Sequence, residues 1–312
     1  MTIRTFQPGD DAVQVAIYNE TAAGLPKFKA ATLDEVRRRV RAADFDPGTR
    51  FFADEGGPPV GYATFHANGR VSFPWCRPGH EAHAEALFEA VLQEMRRRGI
   101  SAAFAAYRAD WPAQRDFFLG HGFRAAREMV NFVLDLNDMP TPGSRAGAAV
   151  ESLRPEDVPS VFALGEGVIR CRTPQELTAH LFHNPYFGGD SAVVLRGRAG
   201  RPPLAAAIVV ADGTYADPRA VDANMPCFRL GAFGTEGTQW KRLNGVFSFV
   251  ARPGGDLNPL GLEMLAHAAS RLSGTAVCTL AAQVPSDAPH LLLFYQQIWR
   301  RQGAFPVYEL AL

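Results

Sequence analysis

The stretch Phe73–Gly99 reads FPWCRPGHEAHAEALFEAVLQEMRRRG. Its second part has the pattern of a helix with one apolar face. Ala84, Leu87, Phe88, Val91, Leu92 and Met95 recur at i, i+3, i+4, i+7, i+8 and i+11, the spacing that lays a single stripe against a sheet. Gly99 stops that helix. The first part leads from the end of an apolar strand, through Pro78, Gly79 and small residues, into the helix start.

Upstream, Thr32-Leu33-Asp34-Glu35 is a capping box that opens an earlier helix. Arg50–Asp54, Val60–His66 and Arg70–Trp75 read as strands, and the short gaps holding Gly56-Gly57-Pro58-Pro59 and Asn68-Gly69 suit antiparallel hairpins. Downstream come a strand at Ala102–Tyr107, a helix from Pro112 to Leu119, Gly122-Phe123 and a strand at Met129–Leu136. Asn137–Ala149 is rich in Pro, Gly and small residues, lacks periodicity and reads as a linker.

Beyond the linker the order recurs. Ile3–Asp10 (IRTFQPGD) is matched by Val150–Asp157 (VESLRPED), 147 positions later. Thr173-Pro174-Gln175-Glu176 is another capping box. Ala192–Leu195, Leu204–Val210, Phe228–Phe233 and Val246–Ala251 read as strands. A helix over Asn258–Leu272 closed by Gly274, a strand at Ala276–Ala281, a helix over Pro289–Arg301, Gly303-Ala304-Phe305 and a strand at Val307–Leu312 complete it. At 312 residues the chain exceeds what one core organises. The expected division is 1–137, a linker at 138–149, and 150–312.

Apolar residues make up 47% and charged residues 21%, as in an ordinary globular protein. Thirty-two basic residues balance thirty-two acidic ones, which removes the electrostatic reason to expect nucleic acid or an anionic membrane as partner. Cys76, Cys171, Cys227 and Cys278 are far apart and form no CxxC pair, so neither a zinc site nor a disulfide framework is expected. Dispersed thiols fit a reducing compartment. No basic segment leads into an apolar one at the N-terminus, and no apolar run approaches 18 residues. The expectation is a cytoplasmic protein.

This order of elements, with strand, turn and helix in the middle and a last helix running into Gly-Phe before a final strand, resembles the GNAT superfamily of acyl-CoA-dependent N-acyltransferases. The resemblance spans both halves. It implies an α+β chain of two tandem GNAT folds, each a mixed, mostly antiparallel sheet flanked by helices. It also implies acetyl-CoA as co-substrate, no metal, and transfer of an acetyl group to an amine of a small-molecule acceptor. The family pattern [Gln/Arg]-x-x-Gly-x-[Gly/Ala], with Leu87-Phe88 set on its Leu-Leu, falls on Gly79, Ala82 and Ala84, so the central glycine is absent. His80 and His83 flank this cradle as phosphate contacts, as a base or as helix caps. In the second half Arg252–Gly261 occupies the corresponding place, with Gly254 and Gly255 as a possible anion nest, Asp256 opposing it and Gly261 at its end. Either loop also reads as an ordinary strand-to-helix turn.

Acyl transfer to an amine needs a base and a donor for the departing thiolate. The family's tyrosine position, four residues before the closing glycine, holds Phe118 in the first half and Trp299 in the second. Tyr295, one turn earlier, is a candidate acid or a packing residue. Neither central strand carries Asp or Glu, which leaves Glu20 and Glu236 as candidate bases or as surface carboxylates. The alternative to an active transferase is a catalytically degenerate tandem protein acting as a ligand-binding or scaffold module.

Overall fold

The stripe that runs from Leu87 to Met95 is buried along its whole length in the computed structural model, which describes residues 1–26, 28, 30–41, 45–139, 149–165, 168–169, 171, 173–183, 188–197, 201–210, 244–251, 257–275 and 277–312. The expected strand at 228–233 and the insertion at 211–226 lie outside the described residues. No described helix is long and apolar enough to cross a membrane.

The chain packs as two units, Met1–Arg127 with Phe305–Leu312, and Glu128–Ala304. The first unit begins with β1 (Thr2–Thr5), α1 (Asp10–Ala22), α2 (Leu33–Val40), β2 (Arg50–Asp54), β3 (Gly61–Thr64) and β4 (Trp75–Cys76). These four strands pair antiparallel in the order β1-β2-β3-β4. Then follow α3 (Ala84–Arg97), β5 (Ala102–Ala106), α4 (Pro112–Gly120) and β6 (Arg124–Asp135). The α3 stripe packs with Phe51, Phe65, Phe118, Phe123 and Tyr308 in the core of this unit.

The second half of the chain repeats the order with β7 (Ala149–Ser152), α5 (Val158–Leu164), α6 (Pro174–Phe182), β8 (Ala192–Arg196), β9 (Ala205–Val210), β10 (Asn244–Ala251), α7 (Leu257–Leu272), β11 (Thr279–Pro285), α8 (Pro289–Ile298) and β12 (Arg300–Ala311). Strands β7-β8-β9-β10 are antiparallel, and β10 then lies parallel to β11. The α+β class expected from the sequence is the one observed: mixed, mostly antiparallel sheets flanked by helices.

The matched segments at the start of each half do the same local work. Asp10 Oδ2 accepts from the amide of Gln7 at 2.7 Å, and Asp157 Oδ2 accepts from the amide of Arg154 at 3.1 Å. Each carboxylate is buried and pairs with an arginine at 2.6 Å, Asp10 with Arg4 and Asp157 with Arg196. The capping box at Thr32 and Glu35 forms with both of its bonds.

The final strands depart from the order of the chain. From Met129 to Asp135, β6 pairs with β11 of the second unit, whereas Val307–Ala311 of β12 pairs with β5 of the first. Each half of the chain thus supplies the last strand of the other unit, and the division by packing does not coincide with 138–149. An apolar strand satisfies its backbone on any free edge of matching register, so the pattern within the strand does not name the partner. Two spans also differ. Arg70–Trp75 makes only isolated bridges at Arg70 and Val71 before β4 begins. The last helix stops at Ile298, with Trp299 already extended at φ −105° and ψ 147°.

Deleting Phe305–Leu312 should strip hydrogen-exchange protection from the amides of β5 that face β12, while Phe104 keeps its bond to Gly69 and β8 and β9 keep theirs. Exchange measured by mass spectrometry on the truncated chain reads this directly, and full protection of β5 would contradict the exchange of strands.

Candidate functional site

Parallel pairing of β10 and β11 covers Asn244–Val246 against Thr279–Ala281. Beyond those residues β10 runs on to Ala251 paired only with β9, and β11 runs on to Pro285 paired only with β6. The facing edges, Phe247–Ala251 and Ala282–Pro285, have no strand partner among the described residues, so two rows of peptide groups open into a wedge. Backbone donors and acceptors away from water need partners, and an extended amide-bearing molecule is the kind of ligand that supplies them.

Side chains alternate across the strand, and the two faces of the wedge differ. Phe247 and Phe249 point to the side covered by α8, where Phe247 stacks on Trp299 at 5.7 Å and Phe249 meets Phe294 at 5.3 Å. Trp299 is buried, and its Nε1 has no hydrogen-bond partner among the described residues. Such an orphaned donor costs about 1 to 3 kcal/mol, a cost that a ligand acceptor would remove. Tyr295 is enclosed by Phe132, Phe247, Phe294 and Trp299, and burial pushes its phenol far above the ordinary range, holding it protonated. On the other side, Gln283 of β11 stands opposite Asn131 of β6 and donates from Nε2 to Asn131 Oδ1 at 3.2 Å.

The first unit has the same parting with a different filling. Gly69 and Val71 bond with Phe104 in parallel fashion at 2.8 and 2.9 Å, after which the backbones separate. The gap is bridged by Tyr107, whose hydroxyl accepts from the Phe73 amide at 2.6 Å. Trp75, Trp111 and Phe118 pack on the Tyr107 ring.

The expected phosphate cradle of this unit is also occupied from within. The Glu81 carboxylate accepts from its own amide and from that of Gly79, bonds that hold it below the usual carboxylate range. The amides of His80, His83 and Ala84 donate to Arg77, His80 and Glu81 carbonyls. His80 and His83 both face Glu55, which follows β2. Ala82 lies in the short turn Glu81–His83. Glu20 of α1 pairs with Arg77 Nη1 at 3.3 Å.

Gly254, Gly255 and Glu236 lie outside the described residues. Gly261 is inside α7, and a Cβ built there would come within 2.3 Å of the Phe294 ring. The absence of a side chain at Gly261 therefore serves close approach of α7 and α8.

No family model matches this sequence, and no curated protein does. Solved structures do. The chain is similar to the GCN5-related glucosamine N-acetyltransferase region of a fungal multi-domain GH3 beta-N-acetylglucosaminidase, at TM-score 0.68 and 14% identity over 99% of this chain; it spans 38% of that protein's length. It is similar also to a GCN5-related N-acetyltransferase from Sphaerobacter thermophilus, at TM-score 0.61 and 13% identity over 99% of this chain and 95% of that one. A third, from Anabaena variabilis ATCC 29413, superposes at TM-score 0.56 and 11% identity over 99% of this chain and 72% of that one. The fold is that of the GCN5-related N-acetyltransferases.

Within this GNAT fold the sequence reading set Trp299 at the family's tyrosine position but did not single it out as buried and unpartnered, because its burial depends on Phe247 of a distant strand. It did not single out the Asn131–Gln283 pair. The available signal was one amide residue inside each of two apolar runs, Met129–Leu134 and Thr279–Val284. Gly261→Ala should destabilise the second unit by about 1 to 3 kcal/mol through overpacking, as measured by denaturant unfolding. No loss of stability would show that Phe294 has room to move.

Proposed function

We propose that this chain is an acyl-CoA-dependent N-acyltransferase built from two diverged copies of one fold, with the chemistry in the second unit. The observation that carries the reading is the buried, unpartnered Trp299 Nε1 stacked on Phe247, the first residue of β10 beyond its pairing with β11. Acetyl-CoA, when bound, supplies a thioester whose carbonyl carbon is open to attack by an amine. The free edges of β10 and β11 would hold its extended amide-bearing arm. Trp299 would offer an N–H where negative charge develops, a preorganised donor of the oxyanion-hole kind. Gln283 and Asn131, on the face opposite the aromatic cluster, would orient a small-molecule amine acceptor. Positioning of an already reactive thioester supplies much of the rate in such a site.

The first unit fits coenzyme A poorly, with Glu81 seated on the loop amides and Tyr107 bridging the parting. The scaffold reading is retained for this unit alone. A cytoplasmic location accords with the free thiols of Cys76, Cys171 and Cys278.

Titration of the protein with acetyl-CoA by calorimetry, followed by thiol-release assays over a panel of amines, tests the proposal. Saturable binding and turnover are expected. Trp299→Phe should lower kcat by roughly a hundredfold or more with acetyl-CoA affinity little changed, while Tyr295→Phe should leave kcat within a few-fold. Absence of acetyl-CoA binding would overturn the transferase reading; loss of turnover in Tyr295→Phe alone would move the donor one turn back.

A further inference from the structure

The first unit holds a constellation that the acyl-transfer reading does not use. His80 and His83 sit three residues apart around the short turn Glu81–His83, which brings their ring centroids to 6.0 Å on one side of the loop. Glu55, just after β2, reaches both. Its Oε2 lies 3.2 Å from His80 Nδ1, and its Oε1 contacts His83 Nε2. One ligand atom from each of the three residues lies within 4.8 Å of the other two. All three remain reachable from solvent, with side-chain exposures of 42% for Glu55, 33% for His80 and 16% for His83.

Two imidazole nitrogens and one carboxylate oxygen lie close enough together that one divalent cation can take all three. Metal–nitrogen bonds of about 2.0 to 2.1 Å and metal–oxygen bonds of about 2.0 to 2.2 Å put tetrahedral ligand atoms about 3.4 Å apart. The His80–Glu55 separation is already near that figure, and the widest separation must close by about 1.5 Å or less. Small rotations of half-exposed side chains cover that distance.

The loop beneath is braced for such a role. The Glu81 carboxylate ties the amides of Gly79 and Glu81 together, and the His80 and His83 amides donate to Arg77 O at 2.9 Å and His80 O at 3.1 Å. The backbone carrying both imidazoles is therefore held by bonds independent of any ion.

We infer that Glu55, His80 and His83 form a divalent transition-metal site of the zinc type, with water in the fourth position. Two imidazoles and one carboxylate suit zinc or cobalt, whereas magnesium and calcium select all-oxygen sites. Bound metal would tie the segment after β2 to the start of α3, and the open fourth position leaves room for an anionic or water ligand. The site stands apart from the second unit's wedge and does not depend on the acyltransferase reading.

Tag-free full-length protein stripped with chelator and dialysed should be titrated with cobalt(II) while visible absorbance is followed, and with zinc(II) by calorimetry. One saturable equivalent is expected, with tetrahedral-type visible bands, and magnesium should give no response. Glu55→Gln, His80→Ala and His83→Ala should each weaken binding at least about tenfold, in keeping with the sensitivity of metal sites to their ligands and supports. Zinc should raise the melting temperature of the wild type and not of these variants, and unchanged circular dichroism in the apo variants confirms that they fold. No saturable binding, or binding that survives in the His80→Ala/His83→Ala double variant, overturns the site.

Discussion

Two parallel strands that begin as partners and then part set the terms for the second unit. β10 and β11 share hydrogen bonds only as far as Val246 and Ala281, yet each continues for several residues with its other edge fully paired. Beyond those residues the facing edges have no strand partner among the described residues, and backbone polar groups there need other partners. Phe247, Phe249, Tyr295 and Trp299 make one wall apolar, while Asn131 and Gln283 make the other polar. Among the described residues the Trp299 indole N–H has no acceptor, and a buried donor in that state costs stability until a partner reaches it.

The same parting in the first unit has been closed. Tyr107 gives its hydroxyl to the Phe73 amide, and Glu81 gives its carboxylate to the amides of the loop before α3. The two units share topology and the buried arginine–aspartate pairs at Asp10 and Asp157, so the difference lies in what occupies one gap.

Much of this was legible locally. The α3 stripe, the capping boxes and the matched segments at Asp10 and Asp157 rest on bonds between residues a few positions apart, so residue spacing carries them in full. The fold class followed from the order of such elements. Residues whose role depends on a distant partner were less readable. Gly261 looks like part of a glycine-rich loop, but Phe294 decides its use. Glu81 looks like an ordinary first-turn acid, but its own loop receives it. Glu55 lies far in the chain from the two histidines, and no motif spacing joins them.

The chain by itself therefore determined the elements, their order and their repetition, because helix periodicity, strand alternation and end-capping are short-range properties of a polymer. Only the tertiary structure decided which strand completes which unit, where β10 leaves β11, that Trp299 is buried without an acceptor, and that two imidazoles meet one carboxylate. Those features depend on which surfaces meet in space, and hydrogen bonding and burial at a meeting point are set jointly by segments that no local pattern connects.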